Sequence, residues 1–136
     1  MADTYKSLKD QLADKALLEE WRVALEVTPG AMKLDDCRCW TLQGKHGYAA
    51  TWGDGRSLML VVSARSALAW SWAKKRLGFC AVTQDGDGEG VLRLLRTPTA
   101  AEAVEIRDLV GLRKDISDDF REALRQRAHA AGLGRK

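Results

Sequence analysis

The segment from residue 36 to residue 63 constrains the fold most, because short β-forming stretches alternate there with glycine-containing turns. The stretches are CRCWTLQ, GYAATW and SLMLVVS, which are rich in apolar, aromatic and β-branched residues. The turns GKHG at 44–47 and GDG at 53–55 suit tight hairpin connections. The sequence therefore predicts a three-stranded antiparallel meander, whose third and most apolar strand lies at the centre of a sheet.

One helix is predicted before this meander and one after it. Apolar residues recur at helical spacing over 4–27, and Thr28-Pro29-Gly30 must end that helix because a residue before proline is disfavoured in the α region. The spacing fits either one continuous helix or a helix that kinks near Asp14. The other helix is predicted over 66–77, with serine at its N-cap and Gly78 after its last turn.

The rest of the chain predicts two more strands and a helical pair. FCAVTQ and VLRLLR are strand-like and are joined by a glycine-rich loop. Thr99 and Glu102 have the spacing of a capping box, which predicts a helix that ends at Gly111 and precedes a last helix. The predicted order is αβββαββαα in one α+β domain over 1–136, with an antiparallel sheet of about five strands over 36–95 and the helical pair over 99–131.

Length, the N-terminus and the cysteine count indicate the class of protein. A chain of 136 residues fits one domain. The N-terminal MADTYKSLKDQLADK is charged throughout, unlike a signal peptide, and no apolar run has the length of a membrane span. Three cysteines, an odd number, indicate reduced thiols rather than a disulfide scaffold. We expect a cytoplasmic protein with no membrane partner.

The run TQDGDGEGVL at 83–92 resembles the start of a calcium-binding loop, because Asp85, Asp87 and Glu89 alternate before Gly90. An EF-hand also needs a bidentate glutamate at position 12 and two flanking helices. Counted from Asp85 as position 1, position 12 of the loop is Arg96, a cation. The flanking segments are strand-like. The sequence therefore predicts a hairpin loop with solvated acids and no metal or other cofactor.

A zinc site or a nucleophilic centre is the other chemistry that these residue types allow. Cys37 and Cys39 lack the two-residue spacing of a zinc knuckle, and on a strand they point along one sheet face. His46 and Cys80 could complete a site or form a Cys–His pair only if the fold brought them together. His129 lies near the C-terminus of the last predicted helix, a poor position for a preorganised base. We therefore expect binding rather than catalysis.

Residues 79–114, FCAVTQDGDGEGVLRLLRTPTAAEAVEIRDLVGLRK, carry a recognisable series of motifs. These are TQDGD, an EG-x-L-x-L strand, a proline-containing helix start and EA…IR…GLRK. The run resembles a family of small uncharacterised bacterial proteins. The resemblance implies that this segment is one unit and implies no site or activity.

The middle of the chain is basic and rich in tryptophan. Residues 37–84 hold seven basic residues against Asp54 alone, together with four of the five tryptophans. Basic and stacking side chains together are typical of a groove for single-stranded or structured nucleic acid. The candidate surface consists of Lys45, Arg56, Trp70, Lys74, Lys75 and Arg76. The alternative is that the tryptophans belong to the core and the lysines to a solvated helix face.

A second hypothesis is a protein-interaction or regulatory module. The acidic residues Asp85, Asp87 and Glu89 would contact a basic partner, and the amphipathic helices would support self-association. The position of the tryptophans discriminates between the two hypotheses. Tryptophans exposed beside the cations favour nucleic acid, and buried tryptophans count against it.

Overall fold

The computed structural model describes residues 8–116, which form three helices and six strands. In chain order the elements are α1 (Leu8–Leu25), β1 (Met32–Leu34), β2 (Trp40–Gln43), β3 (Gly47–Thr51), β4 (Leu58–Ser63), α2 (Ala67–Arg76), β5 (Ala81–Asp85), β6 (Glu89–Leu94) and α3 (Ala100–Val110). A short 3₁₀ turn, Pro29–Ala31, separates α1 from β1.

All six strands belong to one sheet, in the order β1-β2-β3-β4-β6-β5, and every neighbouring pair is antiparallel. The predicted α+β class and the predicted meander, β2-β3-β4, are confirmed. The sheet has one strand more than the predicted number of about five, because β1 adds a sixth strand beside β2. β1 has three residues and follows directly on the proline turn, so it is too short to show the period-two pattern that identifies a strand.

β2 begins at Trp40 instead of Cys37, because a turn precedes it. Asp35 Oδ1 accepts hydrogen bonds from the backbone N–H groups of Cys37 (2.9 Å) and Cys39 (2.8 Å). An aspartate side chain that binds nearby backbone groups competes with strand pairing. The two cysteines therefore lie in a turn, and the prediction that they share one face of a strand is wrong.

α1 is continuous over Leu8–Leu25, without the alternative kink, and the predicted positions 4–7 lie outside the described residues. Two arginines bind carbonyl groups at the end of α1, at Leu25, and two residues beyond it, at Val27. Arg22 Nη1 donates to the Val27 carbonyl at 2.8 Å, and Arg107 Nη1 of α3 donates to the Leu25 carbonyl at 2.7 Å. These carbonyls would otherwise lack partners at the helix end, so α3 and α1 are joined there by a side-chain contact.

The predicted caps of α2 and α3 are present. Ser66 Oγ accepts the Ala69 N–H at 3.1 Å. Thr99 Oγ1 accepts the Glu102 N–H at 3.1 Å while a Glu102 carboxylate oxygen accepts the Thr99 N–H at 2.9 Å, which completes the capping box. Gly111 ends α3 in the left-handed region, with a φ of 79°. The helix predicted after it, to residue 131, lies outside the described residues.

The two faces of the sheet differ in what they contact. Leu42, Ala49, Leu60 and Leu92 are paired across four strands and belong to the core cluster with residues of all three helices. Every strand residue of that cluster lies on this helix-covered face. Side chains alternate along a strand, so their neighbours point to the opposite side. We call that side the open sheet face; it carries the half-buried side chains of Tyr48, Met59, Val61, Val91 and Arg93.

Within residues 8–116 no helix has the length and apolar character needed to cross a membrane.

Candidate functional site

The open sheet face carries a continuous group of apolar and aromatic side chains. Tyr48 is paired with Val61, and Val61 with Val91, so these three side chains form one row across β3, β4 and β6. Met59 lies in the next row, and Trp52 follows the end of β3. Together they line an open cavity of about 830 Å³ that reaches from β3 to β5. A volume of this order is typical of ligand sites.

A hydrogen-bonded turn fixes one end of this cavity. Asp54 Oδ1 accepts the backbone N–H groups of Arg56 (3.0 Å) and Ser57 (2.7 Å), and Oδ2 accepts the Ser57 hydroxyl (2.6 Å) and Arg93 Nη2 (2.7 Å). These contacts, led by the Ser57 hydroxyl, hold the pKa of the Asp54 carboxyl well below its usual range. The Arg93 guanidinium lies 4.9 Å from the centre of the Trp52 ring. Trp52 is therefore held in place before any ligand binds.

The structure separates the three acids that were predicted to share one loop. Asp85 is the last residue of β5, and its Oδ1 accepts hydrogen bonds from Trp70 Nε1 (2.7 Å) and Lys74 Nζ (3.0 Å). The Trp70 hydrogen bond and then the Lys74 contact lower the pKa of the Asp85 carboxyl. Asp85 is thus occupied by a contact with α2, whereas Asp87 lies in the loop after β5 and Glu89 begins β6.

Glu89 gives the other end of the cavity its acidic character. Gly90, the next residue, faces the core, since a side chain there would meet the Trp70 ring, so Glu89 lies on the open sheet face. Glu89 lines the cavity, and none of the described residues that line it is a lysine or arginine. The cavity therefore combines an aromatic and apolar floor with an acidic end.

Three of the six residues predicted to bind nucleic acid are instead buried or bound to acids within the protein. Trp70 is 1% exposed, so its ring faces are not available to stack on a base. Lys74 Nζ lies 3.0 Å from Asp85 and 5.4 Å from the centre of the Trp70 ring. Arg76 forms ion pairs with Asp108, at 2.7 Å, and with Glu105, and these acids raise the pKa of its guanidinium. The positive charge of α2 is therefore largely neutralised by acids from β5 and α3.

The other three predicted residues lie apart from one another. Lys45 precedes β3 and Arg56 follows it, so they stand near opposite ends of that strand, roughly 17 Å apart along it. Lys75 is on α2, where its Nζ lies 4.9 Å from the centre of the Trp72 ring. Trp72 is 58% exposed, in contrast to Trp70 two residues earlier. The six residues do not form one continuous surface.

The cysteines and His46 do not converge. Within residues 8–116 no three His, Cys, Asp or Glu side chains come together in a group that could hold a metal ion. Cys37 and Cys39 lie in the turn before β2, and Cys80 lies after α2. Burial raises the pKa of the Cys80 thiol to about 12, so this thiol is a poor nucleophile at neutral pH. His129 lies outside the described residues.

Sequence reasoning did not identify the open sheet face as a site. The signal was present in GYAATW, where a period of two puts Tyr48, Ala50 and Trp52 on one side of a strand. The contribution of Arg93 could not be read from the sequence, because Asp54 and Arg93 are 39 positions apart.

No protein-family model, curated protein or solved structure matches the chain. The resemblance of residues 79–114 to a family of small bacterial proteins stays a prediction.

Proposed function

We propose that this protein is a non-catalytic binding module that holds a basic segment of another protein on the open sheet face. The observation that carries the proposal is one cavity in which aromatic and apolar side chains stand beside an acidic end. Aromatic side chains dominate the binding energy of many protein interfaces. Trp52 is already fixed by Arg93 and Asp54, which lowers the entropy cost of binding.

The charge of the cavity favours a basic ligand over a nucleic acid. Glu89 and the nearby loop residue Asp87 are negative, and phosphate groups would be repelled there. Arg93, a cation on this face, is bound to Asp54 at 2.7 Å and adds little net positive charge, and Lys33 lies on the same face at the distant strand β1. Charge complementarity therefore favours lysine or arginine side chains in the partner.

The dimensions of the cavity favour a short extended peptide. The cavity reaches across β3, β4, β6 and β5, which is three strand spacings, or roughly 14 Å. An extended chain covers that distance with about four or five residues. One apolar side chain would contact Tyr48 and Trp52, and a basic side chain would lie within reach of Glu89.

Selection from a random peptide display library tests this proposal with a defined probe. We expect the full chain to enrich peptides that combine an apolar residue with lysine or arginine, and a Tyr48→Ala/Trp52→Ala variant to lose them. Glu89→Lys should change the selected charge from basic to acidic or neutral. A Trp72→Ala variant is the control, because Trp72 is equally aromatic, 58% exposed and remote from the cavity. Failure to enrich any peptide, or enrichment that survives the double substitution, would contradict the proposal.

Nucleic-acid binding is a second proposal, supported by one observation. Trp72 is exposed, and Lys75 lies over its ring, so a stacking surface and a cation are adjacent on α2. Lys45 and Arg56, whose side chain is 80% exposed, would add charge at a distance from this pair.

Titration of a fluorescently labelled single-stranded oligonucleotide tests the second proposal. Binding through phosphates should weaken steeply between about 50 and 200 mM salt, and Lys75→Glu should reduce it further. Lys9→Glu, which makes the same charge change on α1, is the control. Absence of binding at low salt, or an affinity that is independent of salt, would remove this proposal.

A further inference from the structure

A second cavity lies between α2, α3 and the turn that joins β2 to β3, outside the open sheet face. Its volume is about 220 Å³, and it is smaller than the usual site for a drug-sized ligand. Val62, Ala69, Ala73 and Leu109 supply an apolar wall. His46, Ser63, Arg65 and Asp108 supply the polar side. The cavity thus combines an apolar part with several hydrogen-bond donors.

Backbone contacts hold the polar side of this cavity in a fixed arrangement. The turn is attached to the end of α3, because Lys45 N–H donates to the Gly111 carbonyl at 3.0 Å and His46 N–H donates to the Val110 carbonyl at 2.9 Å. The His46 carbonyl in turn accepts the Ser63 N–H at 2.7 Å. His46 and Ser63, which are 17 positions apart, are therefore held side by side at the cavity wall.

The donors of this cavity have no partners in the described part of the chain. No side chain or carbonyl within residues 8–116 accepts a hydrogen bond from the Arg65 guanidinium or the His46 ring. Asp108, the acid that lines the cavity, is bound to Arg76 and not to Arg65, since its Oδ2 accepts a hydrogen bond from Arg76 Nη2 at 2.7 Å. A guanidinium without an acid partner is a strong site for a carboxylate or phosphate, which it binds through two parallel hydrogen bonds.

The same residue types could suggest a catalytic triad, because Ser63, His46 and Asp108 line one cavity. Ser63 is paired with Glu89, however, so its side chain points to the open sheet face and away from α2 and α3. The hydrogen bonds that define a triad are absent among the described residues, where His46 bonds neither Ser63 nor Asp108 through its side chain. Asp108 is directed to Arg76 instead of orienting the imidazole. The arrangement is suited to holding an anion and lacks the parts needed to activate a hydroxyl.

We propose that this cavity binds the carboxylate or phosphate group of a small organic anion. Arg65 would hold the anionic group, with the His46 ring as a further donor. The apolar wall formed by α2 and α3 would contact the body of the ligand. Arg76 forms ion pairs with both Asp108 and Glu105, which offsets part of the negative charge of these two acids beside the cavity. The proposal is independent of peptide binding at the open sheet face.

Nuclear magnetic resonance titration with phenyl phosphate, benzoate and benzylamine tests the proposal on the full chain. These probes share an aromatic body and differ in the charged group. We expect phenyl phosphate or benzoate to shift the amide signals of residues 62–69 and 108–109, and benzylamine to leave them unchanged. The tighter of the two anions identifies the recognised group. Inorganic phosphate alone should bind more weakly than phenyl phosphate, because it makes no contact with the apolar wall.

Substitution of Arg65 provides the decisive comparison. Arg65→Ala should weaken binding of the preferred anion by about tenfold or more, as expected for one charge-assisted contact. Arg113→Ala removes an exposed arginine that does not line the cavity and should have no effect. Arg65 is exposed, so its substitution should leave the fold intact. Equal binding of benzylamine, no shift with either anion, or unchanged affinity in Arg65→Ala would overturn the proposal.

Discussion

Asp54 accepts hydrogen bonds from Arg56, Ser57 and Arg93, and through Arg93 it positions the Trp52 ring. The Ser57 hydroxyl contributes most to the lowered pKa of this carboxyl. A carboxyl with a lowered pKa stabilises the folded state above its ordinary pKa, 3.8, and loses that contribution as the pH falls further.

Replacement of this carboxylate by an amide tests its role. Asp54→Asn should lower the melting temperature at pH 7, because the amide binds Arg93 and the two N–H groups more weakly. The difference between wild type and variant should be constant above about pH 4 and should shrink below it, following the Asp54 pKa. Melting curves recorded from pH 7 to pH 2 measure this difference. A difference in melting temperature that is the same at all pH values would contradict the proposed contribution of the Asp54 carboxylate.

Gly90 is required by the position of the Trp70 ring. A methyl group on Gly90 would lie 2.2 Å from Trp70 Cζ2 and 2.5 Å from the Gln84 carbonyl oxygen. We expect Gly90→Ala to lower the free energy of unfolding by about 1–3 kcal/mol or more, as for other overpacked sites. Gly30→Ala is the control, because nothing lies within 4 Å of its added methyl group. Chemical denaturation should therefore separate the two variants, and equal stability would be evidence against this packing.

Contacts between single residues were the least predictable part of the molecule. Trp70 and Asp85 are 15 positions apart, and Arg76 and Asp108 are 32 apart, so neither pair shows a local spacing. Counting charges along 37–84 suggested a cationic surface, but the acids that neutralise it come from β5 and α3. That the two tryptophans of α2 point in different directions was predictable, since their helical phases differ by about 160°. Which one is buried was not, and Trp70, assigned to the candidate surface, is the buried one.

At the scale of elements, α3 depends on its capping box and on Arg96. Arg96 binds both carboxylate oxygens of Glu102 at 2.7 Å, and Glu102 also accepts the Thr99 N–H. These contacts, with Arg96 first, lower the pKa of Glu102 from 4.5 to about 2. The stability that Glu102 supplies is therefore complete above pH 4.5 and is lost as the pH falls from 4.5 to about 2.

Glu102→Gln should remove most of this pH dependence. The variant should be less stable than wild type at pH 7, and the two should approach each other as the pH falls to 2, because the wild-type carboxyl becomes protonated. Far-ultraviolet circular dichroism during acid titration at a fixed urea concentration measures the effect. If wild type and variant lose helix in parallel over this range, Glu102 does not control the stability of α3.

Elements with their own local signals were predicted well. The capping box placed the start of α3, Ser66 placed the start of α2, and glycine turns placed the hairpins around β3. β1 was missed because its formation depends on pairing of Met32–Leu34 with β2 rather than on its own residues. The start of β2 was misplaced because the bonds from Asp35 compete with pairing over residues 37–39.

At the scale of the whole molecule, one face of the sheet supplies stability and the other is available for binding. Leu60 is fully buried on the helix-covered face, whereas its neighbour Met59 is half-buried on the open sheet face. Leu60→Ala should lower the free energy of unfolding by about 2–5 kcal/mol. Met59→Ala removes a side chain of similar size and should cost only about 1 kcal/mol. Urea denaturation compares the two, and a larger effect of Met59→Ala would show that the open sheet face belongs to the core.

The sequence could not distinguish these two faces in full. The alternation within each strand was readable, but which face receives the helices depends on how α1, α2 and α3 return to the sheet. The apolar residues of β4, Leu58–Ser63, are nearly continuous and give no preference for either face. The binding surface therefore became recognisable only from the position of Trp52, Arg93 and Glu89 in the fold.

The affinity of one selected basic peptide for two matched double variants tests the central claim most directly. Isothermal titration calorimetry would compare wild type with Tyr48→Ala/Trp52→Ala, on the open sheet face, and Leu68→Ala/Trp72→Ala, on the exposed side of α2. We predict a loss of about tenfold or more for the first variant, as expected for aromatic anchors, and no change for the second. Full affinity in the first variant, or loss of affinity only in the second, would show that the open sheet face is not the binding surface.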